Sequence, residues 1–64
     1  MRDPKRIPKM MAILQEGWNI VPDWRFGQLI ENFKRYIGRD DLFHIEDDEM
    51  IKLMRKYFGL DQED

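Results

Sequence analysis

The chain contains no cysteine, no serine and no threonine, and only one histidine, His44. Without cysteine, neither a disulfide nor a thiolate metal site can reinforce a small core. Without a thiol or an aliphatic hydroxyl, the usual nucleophiles of covalent catalysis are missing, and His44 has nothing to activate. No apolar run approaches the roughly 20 residues that a membrane-spanning helix needs. Gly17, Gly27, Gly38 and Gly59 are dispersed, so there is no glycine-rich phosphate loop. Asp40, Asp41, His44, Glu46 and Asp47 lie close together, but their spacing matches no calcium loop. Zinc would want more nitrogen or sulfur ligands. Paired carboxylates could exchange protons, yet so short a chain offers no pocket of useful size. The expectation is a non-enzymatic protein with no cofactor and no metal.

What is present points to one small globular domain. Sixty-four residues with 42% hydrophobic content are too apolar for intrinsic disorder. A chain of this length buries only about 60% of its unfolded surface, so stability must come from well-packed helices, self-association or both. The opening "MRDPKRIPKMMAILQEG" sets basic residues ahead of apolar ones. Its apolar centre, "MMAIL", is short and meets Gln15 and Glu16 at once, so it does not read as a signal peptide and a cytoplasmic location is expected.

Three apolar stripes at helical spacing predict an all-α, compact three-helix domain with helices over about 4–17, 25–37 and 47–58. The first stripe is Ile7, Met10, Met11, Leu14 and Trp18, with Gly17 near its end. The second is Phe26, Leu29, Ile30, Phe33 and Ile37, closed by Gly38 as a left-handed cap. The third is Met50 or Ile51, Met54 and Phe58, closed by Gly59, with 59–64 as a frayed tail. Ile7, Leu14, Trp18, Phe26, Leu29, Ile30, Phe33, Ile51, Met54 and Phe58 form the expected core. Leu42, Phe43 and Ile45 are expected to tuck onto it from the loop.

The two prolines of "DPKRIP" constrain the first turn. With Asp3 as N-cap, Pro4 takes the first helical position, where its missing N–H costs nothing. Pro8 would then crowd the Pro4 carbonyl. A loose turn from Pro4, tightening into regular helix from about Pro8, satisfies both. Arg2, Lys5, Arg6 and Lys9 then sit at a helix amino terminus, where the dipole disfavours cations. That arrangement either is a small tolerated loss or calls for acidic partners in the 40–49 segment, in another subunit or in a ligand.

Charge is divided along the chain. Residues 1–39 hold eight basic and four acidic side chains, whereas residues 40–64 hold three and nine. The run "DDLFHIEDDE" (40–49) carries six carboxylates and no cation. Asp47, Asp48 and Glu49 suit the first turn of the third helix, and Lys52, Arg55 and Lys56 follow them, which is a sufficient structural reason for these charges. Mimicry of nucleic acid by the acidic run would be the functional alternative.

The runs "MRDPKRI", "PDWRFGQLIENF" and "DLFHIEDDEMIKLM" resemble a group of short uncharacterised bacterial and phage-associated helical proteins. The YihD family is similar more loosely, in a "PD…Q" second-helix opening and an acidic third-helix opening. Pro8 and His44 depart from the group pattern, which has a polar residue and an aromatic there. The resemblance spans roughly residues 1–58; it implies an all-α fold and a phage or mobile-element setting, and it transfers no functional residue.

Two functions remain. A small helix-turn-helix-like nucleic-acid binder could use Arg25, Lys34, Arg35 and Arg39, but an isoelectric point near 5.3 lacks the basic footprint. A protein-binding module fits better, with Trp24 beside Arg25 as interface anchors. Its concrete version is a phage-borne accessory protein or inhibitor of a host system. Adjacent Met10 and Met11 cannot both face one core, so one is available to a neighbour. A homodimer is expected in which Arg2, Lys5 or Arg6 of one copy approaches Asp40, Asp41 or Glu46 of the other.

Overall fold

A computed structural model describes residues 2–60 and places three helices in them: α1 (Arg6–Ile20), α2 (Phe26–Ile37) and α3 (Asp47–Phe58), with no strand among the described residues. None of these helices is long and apolar enough to cross a membrane. The last four residues of the tail expected to fray lie outside the described residues.

The second and third helices end as their glycines require. Gly38 has φ 72° and Gly59 φ 71°, a region open to glycine without steric cost. Each helix closes with paired bonds: Gly38 N–H to Arg35 and Arg39 N–H to Lys34, then Gly59 N–H to Lys56 and Leu60 N–H to Arg55. This is the Schellman pattern, which satisfies carbonyls a helix end would otherwise leave open. Leu60 packs against the core, so the chain is still structured two residues beyond α3, contrary to the tail expected from 59.

The first helix differs from the expected 4–17 at both ends. Residues 3–5 form a turn in which Asp3 Oδ1 accepts the Lys5 N–H at 3.0 Å. The Pro4 carbonyl accepts the Ile7 N–H at 3.0 Å. Helix proper begins at Arg6, which makes Pro8 its third residue. The N–H at that position has no intrahelical partner in any helix, so neither proline is penalised. At the other end α1 runs through Gly17 to Ile20. Gly17 is not a terminator: it is buried, and a Cβ there would overlap the Phe58 ring. Glycine lets α3 approach the α1 backbone.

Arg6 meets Asp47 at the start of both helices, and Gly17 meets Phe58 near their ends. α1 and α3 therefore run parallel, side by side. α2 crosses their carboxyl-terminal end, with Phe26 on Trp18 (ring centroids 5.5 Å) and Phe33 on Tyr57 (5.4 Å). Residues 38–46 then carry the chain back to the start of α3, a climb of about 18 Å that nine extended residues cover easily.

Leu29 and Phe33 are fully buried, and Ile13 and Met54 nearly so. The core is thus smaller than the expected one and includes Ile13, which belongs to a second face of α1. That face holds Met10, Ile13 and Gly17 and packs on α3. Leu14, Trp18, Ile30, Ile51 and Phe58 are only half-buried, while Ile7 is 50% and Phe26 47% exposed. Leu42 packs on the core as expected, but Phe43 is 86% exposed. The loop runs outward at Phe43 because the Asp41 carboxylate accepts the Phe43 N–H at 3.3 Å and holds a tight turn.

Candidate protein-binding surface

The residues singled out from the sequence fall into two places. Arg2, Arg6, Glu46 and Asp47 meet where the amino termini of α1 and α3 lie together. Arg2 Nη2 donates to Glu46 Oε1 at 2.8 Å, and Arg6 Nε donates to Asp47 Oδ2. Arg6 Nη1 also reaches the Asp3 carbonyl at 3.0 Å. Two parallel helices bring two positive dipole ends together, and Asp47, Asp48 and Glu49 in the first turn of α3 offset both. Arg2 and Arg6 therefore find acidic partners in the 40–49 segment of their own chain. The hydrogen bond that Glu46 accepts, and then its charge, hold the Arg2 proton even more tightly than usual. Both members of that pair are well exposed, at 63% and 70% of their side-chain surface, so the pair adds little stability. Lys5, Asp40 and Asp41 are exposed and stand outside the cluster.

Trp24 and Arg25 belong to the other end of the molecule, about 20 Å away along α1. The Trp24 carbonyl accepts the Trp18 indole N–H at 2.8 Å, which satisfies a donor that would be costly to bury alone. This bond and the Trp18–Phe26 ring contact fix the link between α1 and α2. Arg25 caps α2 through its backbone: its N–H donates to Gln28 Oε1 at 2.7 Å, one half of a capping box. The Arg25 side chain stays in solvent.

Along this end runs a shallow groove of about 640 Å³ whose apolar wall is Trp24, Phe26 and Ile30. Gly27 leaves it open, and Glu31, Asn32 and Arg35 make its polar side. Lys34 is engaged with Glu31 at 3.4 Å and Arg35 with Asn32 at 3.5 Å, so these cations are tied to their own helix. Sequence reasoning named Trp24, and Arg35 only as a nucleic-acid contact, and missed Phe26 and Ile30 as lining, because their stripe reads as core. The signal lay in the glycine at 27, which no turn requires.

Beneath the link is a smaller cavity of about 140 Å³ bounded by Gly17, Ile20, Trp24, Tyr57 and Phe58. The Tyr57 hydroxyl is buried and has no hydrogen-bond partner among the described residues. Burial pushes its pKa up, because the phenolate cannot be solvated there.

The chain matches no family model, no curated protein and no solved structure.

Proposed function

We propose that the protein is a non-enzymatic binding module that acts stoichiometrically on another protein. The observation that carries this reading is the groove of Trp24, Phe26 and Ile30 edged by Arg35 and Glu31. It sets an aromatic pair and an arginine, the residue types enriched in interface hot spots, around an apolar floor with a polar rim. The groove is held open by a glycine and by a link fixed through the Trp18–Trp24 bond, so little ordering is needed on binding. Its open shape suits an apolar side chain or a short helix from a partner rather than a reacting small molecule. The resemblance to phage-associated proteins supplies the setting: an accessory protein that inhibits a host system.

The test is capture of partners from a host lysate, followed by calorimetric titration of each recovered protein. The expected result is one-to-one binding that Arg35→Glu weakens at least tenfold while the melting temperature holds. Binding to duplex DNA with a steep salt dependence, abolished by Lys34→Ala with Arg35→Ala, would instead establish the nucleic-acid reading.

A further inference from the structure

α1 has two apolar faces: one packs on α3, and the other is covered only in part, mainly at its carboxyl end where Trp18 meets Phe26. Met10, Ile13 and Gly17 pack toward α3, whereas Ile7, Met11, Leu14 and Trp18 follow another line along the helix. On that line Ile7 is 50% and Met11 51% exposed, and Leu14 and Trp18 are half-buried. At about 100° per residue, the arc from Leu14 round to Ala12 covers about 160° of the helix. Pro8, Ala12, Gln15 and Asn19 complete it, and no charged side chain falls within it. Arg6, Lys9 and Glu16, the charged residues of α1, all lie outside. In a chain with 38% charged residues, an uncharged face along a whole helix is exceptional.

We infer that this face pairs with a second copy of the same chain, α1 against α1, antiparallel about a two-fold axis. The spacing is the reason. Positions 7, 11, 14 and 18 step by four, three and four, so the stripe reads the same in both directions about a point between Ala12 and Ile13. A half-turn there sets Ile7 beside Trp18 of the second copy, and Met11 beside Leu14. Every contact then occurs twice, as a two-fold interface demands. Steps of three and four are also the spacing that lets side chains of one helix enter the gaps of another. A groove lined by Met11, Leu14, Gln15, Trp18 and Pro22 lies where Ile7 of the second copy would enter.

Electrostatics select the partner and the direction. A surface that faces its own copy avoids like-charge contacts when it carries no charge, and this one carries none. Of the polar groups on this face, the Trp18 indole N–H already bonds the Trp24 carbonyl at 2.8 Å, and the Gln15 and Asn19 amides lie to one side of the apolar line. In a parallel pair the exposed Lys5 and Lys9 of both copies would gather at one end, whereas the antiparallel pair separates them. Four turns of helix bury roughly 500 Å² per copy, about 1,000 Å² in total, which is near the lower limit for a specific interface, so dissociation is expected in the micromolar range. The groove on α2 remains open in this dimer, and the dimer does not depend on it.

Sedimentation equilibrium across micromolar to millimolar concentrations tests the pairing. The expected result is a rise from the 7.9 kDa monomer toward twice that mass. Met11→Glu, which adds two carboxylates beside the axis, should remain monomeric with an unchanged helical circular dichroism spectrum and melting curve at low concentration. Ile7→Lys should do the same, so an accidental unfolding in one variant does not decide the matter. The chain has no cysteine, so Ile7→Cys gives a unique spin-label site. Antiparallel pairing places the two labelled backbones roughly 20 Å apart, and parallel pairing about 10 Å. A monomer at millimolar concentration, a dimer that survives both charged substitutions, or the short distance would each overturn the inference. Loss of self-association at Met11 leaves Trp24 and Arg35 intact, so partner binding through the α2 groove can succeed or fail separately.

Discussion

The two ends of the α1–α3 pair join the same helices by different physics. At the amino-terminal end Arg6 reaches Asp47 and Arg2 reaches Glu46, both in contact with solvent. At the carboxyl-terminal end the Phe58 ring lies against the backbone of α1 at Gly17, with Tyr57 beside it at a centroid distance of 5.0 Å. Solvent weakens the first kind of contact, and salt screens it. Steric fit governs the second, where one added carbon matters. The polar end orients the helices in register, while the apolar end supplies most of the cohesion.

Phe58→Ala should break the comparison most severely. Removing the ring empties the space between α1 and α3 and should cost about 3 kcal/mol, a large share of what so small a domain possesses. Urea unfolding followed by circular dichroism measures it, and a loss below about 1 kcal/mol would show that the ring is not the main contact. Gly17→Ala follows, at about 1–3 kcal/mol of overpacking despite the better helix propensity of alanine. Combined with Phe58→Leu, the same substitution should cost less than it does alone. Additive costs across that double-mutant cycle would separate the glycine from the ring.

Tyr57→Phe sharpens the description of the apolar end. It deletes a buried hydroxyl without a partner among the described residues, so stability should hold or rise by up to about 1 kcal/mol. The sign with pH follows from the raised pKa. The folded state holds the phenol proton more tightly than the unfolded state, so this contribution is intact below the unfolded value near 10 and is lost as pH rises past it. Alkaline unfolding monitored by circular dichroism should begin at higher pH in Tyr57→Phe, and an identical profile would discount the phenol.

The smallest effect belongs to the polar end. Arg6→Gln should cost under about 1 kcal/mol at low salt. The difference from the unaltered chain should shrink as sodium chloride approaches 1 M, where charges are screened beyond about 3 Å. A loss that is large and insensitive to salt would mean that Arg6 acts through packing of its aliphatic stem instead.

Some of this architecture was legible residue by residue. Gly38 and Gly59 follow apolar stripes directly, and α2 and α3 end where those glycines permit a left-handed turn. Asp47, Asp48 and Glu49 announce the start of α3 because carboxylates suit a helix amino terminus. The charged first turn of α1 was readable as needing acidic partners, with the 40–49 run and Glu46 among the candidates, but not that Glu46 and Asp47, forty residues away, would meet it within the same chain. The same limit explains the misreading of Gly17. A glycine inside an apolar pattern looks like a terminator until the ring that displaces its side chain is in view. Ile13 was missed because the regular 7-11-14-18 spacing outweighs a face whose third member has no side chain. Of the groove, Trp24 was legible as an unusual aromatic in a link; Phe26 and Ile30 were not, because half of an apolar stripe can be open without any change in its spacing.

The sequence by itself determined that there are three helices and where the left-handed glycine caps of α2 and α3 fall, because these depend on neighbours within one or two turns. Tertiary structure alone decided that α1 and α3 run parallel, that Arg2 and Arg6 pair with Glu46 and Asp47 of the same chain, and that Gly17 is a packing surface. It also decided which of two apolar faces on α1 would be spent on the core. Local spacing specifies that a face is apolar, but only the position of the other helices determines whether that face is covered.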